Sequence, residues 1–313
     1  MSKLYVDQFE EGLRIDEYLL VAGVTKGLTN AGATYLNVEL QDNSGTIDAK
    51  LWDAKESDIK TVSPGKVIRI NGDVLLYRGN LQLRINSASE VSEDEYNVSD
   101  YVKSSPVSEE VLRVEIAKYI SQIDNLVLSK LVNKILQDND KDFYTYPAAS
   151  RIHHEYVGGL ATHVLGMLEI AENLCNSHDF INKSLLYAGI ILHDLGKTTE
   201  LSGPVLTHYT NEGRLLGHIS IMQANVKEVA SSLGIEDSEE VMLVRHMILS
   251  HHGEYEYGSP VLPMIPEAEL LTFIDNLDAR LAMLDKAMSQ TVAGEFTGRI
   301  FSLENRSFYK SKI

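Results

Sequence analysis

The spacing of apolar residues changes once along this chain, and that change constrains the fold more than any other feature. Through residues 1–95, short segments alternate apolar and polar positions, the period of a strand with one face buried. They cover Arg14–Gly23, Ala33–Leu40, Thr46–Trp52, Lys66–Leu76 and Leu81–Ala88. Between them, Asp42-Asn43-Ser44-Gly45 is rich in residues that tolerate positive φ and reads as a hairpin turn, and Tyr77-Arg78-Gly79-Asn80 makes a second. Five short strands joined this way fit a small closed or partly open barrel. Residues 96–105 are polar, with no sustained period, and read as a linker. From Pro106 apolar residues recur every three or four positions to about Leu136, and helical stretches follow near 161–176, 183–195, 212–233, 238–250 and 266–288. The expected architecture is multidomain α+β: a β-barrel over 1–95, a linker, and an all-α domain with a C-terminal tail over 106–313.

Inside the helical half, His163, His193-Asp194, His218, His251-His252 and Asp275 each lie in apolar sequence. Imidazole and carboxylate are the ligands that manganese, iron, zinc, cobalt and nickel share. Ile190-Ile191-Leu192 precede His193-Asp194, and a charged pair in so apolar a stretch is costly to bury unless it is paired or binds a cation. Gly196 is placed to end that helix. An adjacent His-Asp pair suits two-metal chemistry, in which the carboxylate bridges two ions roughly 3.5–4 Å apart that activate a water and steady the leaving oxygen. Taken singly, each histidine is better explained by packing, and His153, His154, His178 and His208 are left in that class; the ordered series is what points to metal.

Charge excludes one class of function. The net charge is −17, with 10 Lys/Arg against 16 Asp/Glu in residues 1–95 and 18 against 29 in the remainder, so neither half coats nucleic acid by bulk electrostatics. A polyanionic substrate has to be held by a few aimed cations, by aromatic stacking and by bound metal. The one cysteine, Cys175, excludes an internal disulfide, fits a reducing cytoplasm, and reads as a packing thiol. No apolar run is long enough to span a membrane, and the N-terminus lacks the apolar core of a signal peptide.

The order His…His-Asp…His…His-His…Asp resembles the HD superfamily of metal-dependent phosphohydrolases, all-helical domains that act on phosphoesters. More narrowly, His153-His154-Glu155-Tyr156-Val157-Gly158-Gly159-Leu160-Ala161-Thr162-His163 and Leu192-His193-Asp194-Leu195-Gly196-Lys197 resemble the YhaM family of 3′–5′ exoribonucleases. So do Glu212-Gly213-Arg214-Leu215-Leu216-Gly217-His218 and Leu249-Ser250-His251-His252-Gly253. Ala161-Thr162 departs from the bulkier or acidic residues expected before His163. The resemblance implies an N-terminal OB-fold and two divalent cations, manganese first, with cobalt, iron, nickel or zinc as alternatives. One ion would be held by His163, His193, Asp194 and Asp275, and the other by Asp194, His218, His251 and His252. Asp278 competes with Asp275, and the division of labour between His251 and His252 stays open. Asp194, His193 and Lys197 form the expected catalytic group. Lys197 either contacts the scissile phosphate or leaving oxygen, or merely faces a helix dipole. Arg214 could clamp a phosphate through paired hydrogen bonds, and His154 is a further candidate substrate contact.

The stretch from Tyr35 to Asp53 is similar to the second and third strands of nucleic-acid-binding OB-folds. Candidate strand contacts are Tyr35, Lys50, Trp52, Tyr77, Arg78 and Arg84, although Trp52 is expected to fill the barrel interior. The leading expectation is an enzyme that shortens single-stranded RNA, with DNA as a further candidate substrate, from the 3′ end to nucleoside monophosphates. A phosphohydrolase of free or cyclic nucleotides and a nucleic-acid-binding replication accessory protein with a vestigial metal site are the alternatives. The aromatic and basic tail from Gly294 to Lys310 either lines the substrate path or docks on a neighbouring subunit of a homo-oligomer.

Overall fold

Strands form where the alternation is sustained. The computed structural model describes residues 3–30, 32–102, 105–148 and 156–313. In its first unit β1 (Arg14–Leu28), β2 (Thr34–Gln41) and β3 (Thr46–Leu51) form an antiparallel meander, and β4 (Val67–Tyr77) and β5 (Asn80–Glu90) form a hairpin. β5 pairs in parallel with β3, and β4 pairs antiparallel with β1, which closes a five-stranded barrel in the order β1-β2-β3-β5-β4. One short helix, α1 (Glu56–Thr61), occupies the β3–β4 connection; with no residue buried on it, it leaves no apolar period to detect. Leu36, Val38, Leu40, Ile47, Ala49 and Leu51 alternate inward along β2 and β3 and are buried in the barrel core. The turn at Asp42 forms as expected, since Asp42 Oδ1 accepts from the N–H groups of Ser44 (2.8 Å) and Gly45 (3.1 Å).

The segment expected to be a linker behaves differently through Val102. Tyr101 is buried, its carbonyl accepts from Gln41 Nε2 at 3.0 Å, and the Asp100 carbonyl accepts from the Asn43 N–H at 3.0 Å. The polar composition concealed this attachment because it rests on main-chain carbonyls and one aromatic ring. The first unit accordingly comprises residues 1–104 together with Pro204–Leu206, and the second comprises 105–203 and 207–313.

The second unit is helical: α2 (Glu109–Ile120), α3 (Leu126–Asp138), α4 (Asp140–Thr145), α5 (Gly159–Ser177), α6 (Lys183–Leu192), α7 (Lys197–Glu200), α8 (Asn211–Ser232), α9 (Glu239–Ser250) and α10 (Pro266–Ser289). Side-chain N-caps start several of them: Ser108 on α2, Asn125 on α3, Asn182 on α6, Thr210 on α8 and Ser238 on α9 each accept a first-turn N–H. α6 is buried at every position from Leu185 to Leu192, as befits a helix apolar all round at the centre of a bundle. Burying Ile190, Ile191 and Leu192 contributes about 1.5–3 kcal/mol each, which offsets the cost of carrying two polar side chains inward just beyond them. Cys175 is partly buried against this core and unpaired. Among the described residues no helix is long and apolar enough to cross a membrane.

Candidate metal centre and barrel face

Five helices bring the His and Asp series to one place. α5 carries His163; His193 caps the C-terminus of α6 with Asp194 next to it; His251 caps α9 with His252 following; and α10 carries Asp275 and Asp278. His218 depends on a break: Gly217 within α8 has φ 72° and ψ 150°, so α8 is two helices meeting at a kink. A left-handed φ is open to glycine at little cost, and the kink frees the His218 N–H from the helical ladder.

Asp194 lies at the centre. Its Oδ2 is 3.4 Å from His193 Nε2 and 4.0 Å from His163 Nε2, while its Oδ1 is 3.4 Å from His218 Nε2 and 3.6 Å from His251 Nε2. Asp275 Oδ1 is 3.2 Å from His163 Nε2. Two groupings of ligand atoms meet at this carboxylate: His163, His193 and Asp275 on one side, and His218, His251 and His252 on the other. Asp278 faces away from them, with its Oδ2 2.6 Å from His163 Nδ1. Of the two competing aspartates, Asp275 therefore points into the cluster and Asp278 backs a histidine.

The protons of these rings are tied down from behind. His193 Nδ1 lies 2.8 Å from the Ile190 carbonyl, His251 Nδ1 2.8 Å from that of Ile248, and His252 Nδ1 2.6 Å from that of Tyr257. A carbonyl can only accept, so each Nδ1 carries the hydrogen and each Nε2 turns a lone pair inward. Among the described residues, His193 Nε2, His218 Nε2, His251 Nε2 and Asp194 Oδ1 are buried without a hydrogen-bond partner. Convergent unpartnered lone pairs at 0–9% exposure would be costly unless something electropositive satisfies them, and the donor set fits a divalent cation.

The electrostatics agree. Burial pushes His163 down, but Asp275 and Asp278 override it and hold the imidazolium up to about 10. Asp194 and Asp275 are lowered despite burial that opposes it, Asp194 chiefly by Lys197 and His193 and Asp275 chiefly by His163. Lys197, 2.5 Å from Asp194 Oδ2, is raised by that carboxylate against its own burial. Burial lowers His251 and His252, which keeps them in the neutral, ligating form. A cation entering here competes with the proton on His163, so metal and proton binding are linked.

Other candidates fall less centrally. Arg214 is exposed near the start of α8, and no side-chain partner for its guanidinium stands among the described residues. His154 lies outside the described residues. Gly196 has φ −59° and is no left-handed helix terminator; what requires glycine there is the close approach of the His218 carbonyl, which a Cβ would strike. Glu200 escaped detection from sequence altogether. It is buried, and its Oε1 accepts the His218 N–H at 3.0 Å and lies 3.1 Å from His218 Nδ1. Its only sequence signal is its place on the short helix after the His-Asp pair.

On the barrel, Trp52 corrects its expectation: it is 46% exposed. Ile47, Ala49 and Leu51 take the inward positions of β3, so the alternation turns Trp52 outward. Its ring lies 5.1 Å from that of Tyr35, and Lys50 Nζ is 5.1 Å from the Trp52 ring and 5.5 Å from the Tyr35 ring. Gly27, opposite Tyr35 on β1, leaves the space across which that ring lies. Tyr77 is exposed at the β4–β5 turn with Arg78 over its ring at 5.3 Å, whereas Arg84 is engaged by Asp73 at 2.8 Å.

Residues 160–280 match the HD domain model, and residues 7–91 match that of an OB-fold nucleic acid binding domain. The 3′-5′ exoribonuclease YhaM of Bacillus subtilis (strain 168) is 47% identical over 302 residues, covering 96% of both chains. The chain belongs to the YhaM family. A second member, the 3′-5′ exoribonuclease YhaM of Geobacillus sp. (strain WCH70), is 46% identical over 303 residues, 96% of this chain and 93% of that one. Among solved structures, a domain of replication protein A from Methanococcus maripaludis is similar at 17% identity and TM-score 0.26, over 29% of this chain and 97% of that one. The HD domain of the L. monocytogenes phosphodiesterase PgpH is similar at 18% identity and TM-score 0.30, over 48% and 73%. Neither likeness is close enough to carry an argument, whereas the YhaM relatives match this chain nearly end to end.

Proposed function

We propose that this YhaM-family chain is a metal-dependent 3′–5′ exoribonuclease of the cytoplasm that shortens single-stranded RNA to nucleoside monophosphates. The observation that carries it is the convergence of the unpartnered lone pairs of His193, His218, His251 and Asp194 inside an otherwise apolar bundle.

His163, His193, Asp194 and Asp275 would hold one divalent cation, and Asp194, His218, His251 and His252 a second, with manganese preferred. Such a pair, when bound, activates water and neutralises charge on the phosphate under attack. The protein supplies the rest. Asp194 turns one carboxylate oxygen to each ligand group and so fixes their separation. Lys197 keeps its ammonium charged at Asp194, next to where charge would develop on the leaving oxygen. Arg214, with no side-chain partner among the described residues, is available to a phosphate. On the barrel, Tyr35 and Trp52 offer a stacking platform with Lys50 above it for the backbone, a pairing that accepts any base. Hydrolysis of free or cyclic nucleotides leaves that platform without a purpose.

A time course on 5′-labelled single-stranded RNA tests this. With added Mn²⁺ a ladder should shorten from the 3′ end, and a chelator should stop it. Shortening from the 5′ end, or turnover indifferent to chelation, would sink the reading.

A further inference from the structure

Among the described residues, five histidines make up the two ligand groups with their aspartates, and their backing is unequal. His193, His251 and His252 rest on the main-chain carbonyls of Ile190, Ile248 and Tyr257. His163 and His218 rest instead on carboxylates, Asp278 Oδ2 at 2.6 Å and Glu200 Oε1 at 3.1 Å. The two carboxylate-backed rings fall in different groups, one with His193 and Asp275 and the other with His251 and His252. A carbonyl orients an imidazole, whereas a carboxylate also raises its basicity and so strengthens its bond to a metal.

Both carboxylates are built in. Glu200 is 7% exposed and also accepts the His218 backbone N–H, which the kink at Gly217 released. Gly213 lies so close to the Glu200 main chain that a Cβ would collide with it. Asp278 is 9% exposed, and a Cβ on Gly166 would overlap its carboxylate. Burying a carboxylate is costly, and a neutral acceptor would have sufficed to hold either ring in place.

We infer that Glu200 and Asp278 are positioning residues, each backing a histidine of one of the two cations, so that the affinity for one ion can be weakened without that for the other. Glu200 acts through His218 on the ion shared with His251 and His252; Asp278 acts through His163 on the ion shared with His193 and Asp275. The inference rests on the two-cation reading above.

The test uses the full chain, stripped with a chelator and titrated with Mn²⁺ by calorimetry, and with Co²⁺ by visible absorption. Wild-type protein should take up two ions. Glu200→Gln and Asp278→Asn keep shape and a hydrogen-bond acceptor but lose the charge. Each should keep one ion at wild-type affinity and bind the other about 10–100-fold more weakly. The cobalt spectra should differ, because the ion left in Glu200→Gln has two imidazole neighbours and the one left in Asp278→Asn has three; together they should sum to the wild-type spectrum. Helical circular dichroism of the metal-free variants shows whether they fold. If Glu200→Gln does not, Asp278→Asn alone must still lose one ion and keep the other. Two ions at wild-type affinity in both variants, or loss of both ions from a folded variant, overturns the inference. A wild-type chain that binds fewer than two ions overturns the two-cation reading instead.

Discussion

Gly196 packs so tightly beneath the carbonyl of His218 that no side chain fits between them. The residue two places after Asp194 thus sets how near the kinked α8 comes to the end of α6. Gly196→Ala should force those backbones apart, costing about 1–3 kcal/mol of stability. It should also lower kcat by on the order of a hundredfold, because reacting groups tolerate little misplacement. Thermal melting and turnover of a short RNA measure the two effects. Wild-type turnover in the variant would mean that this contact does not position the site.

Asp194 offers one oxygen to each ligand group. Asp194→Asn keeps the shape and removes the charge both groups share. Turnover should fall below detection while the oligonucleotide still binds, and the metal-free melting temperature should fall because the buried Lys197 ammonium loses its partner. Anisotropy of a labelled strand in chelator, set beside a turnover assay, separates the outcomes.

The one tryptophan of the chain is the exposed ring of the barrel platform. Its fluorescence therefore reports that face alone. Titration with single-stranded RNA in chelator should quench it, and Trp52→Ala should weaken binding by about 1–3 kcal/mol. Fluorescence that stays unchanged at saturating strand would place the contact elsewhere.

His246 accepts the N–H of Met264 at Nε2, 3.0 Å away, and burial pushes its pKa below the ordinary value of about 6.5. The folded state needs the neutral ring, so this contribution is complete above the unfolded pKa and is lost as pH falls through the lower folded one. Between about pH 7 and pH 5 the melting temperature should drop more steeply for wild type than for His246→Gln. Parallel curves would remove His246 from the acid response.

Much of this molecule was legible in the order of its residues. The switch at Pro106 from alternation to helical spacing separates barrel from bundle, and the turns at Asp42 and Tyr77 fall where expected, because strand period and turn chemistry are local. The burial of Tyr101 was invisible, since it depends on carbonyls any sequence would supply. Trp52 lies on the barrel's outer face and not in its interior, because the parity of its neighbours along β3 turns it outward.

What the sequence determined by itself was the kind of atoms available: imidazoles and carboxylates embedded in apolar helices, which are stable only if something satisfies them. Tertiary structure decided what each one does. α10 places Asp275 and Asp278 one turn apart, yet one faces the cluster and the other backs His163; Glu200, marked by no motif, reaches His218 only because α8 kinks at Gly217. Spacing along a chain specifies which helix face a residue occupies, whereas the direction from which a ligand approaches is set by the packing of helices far apart in sequence.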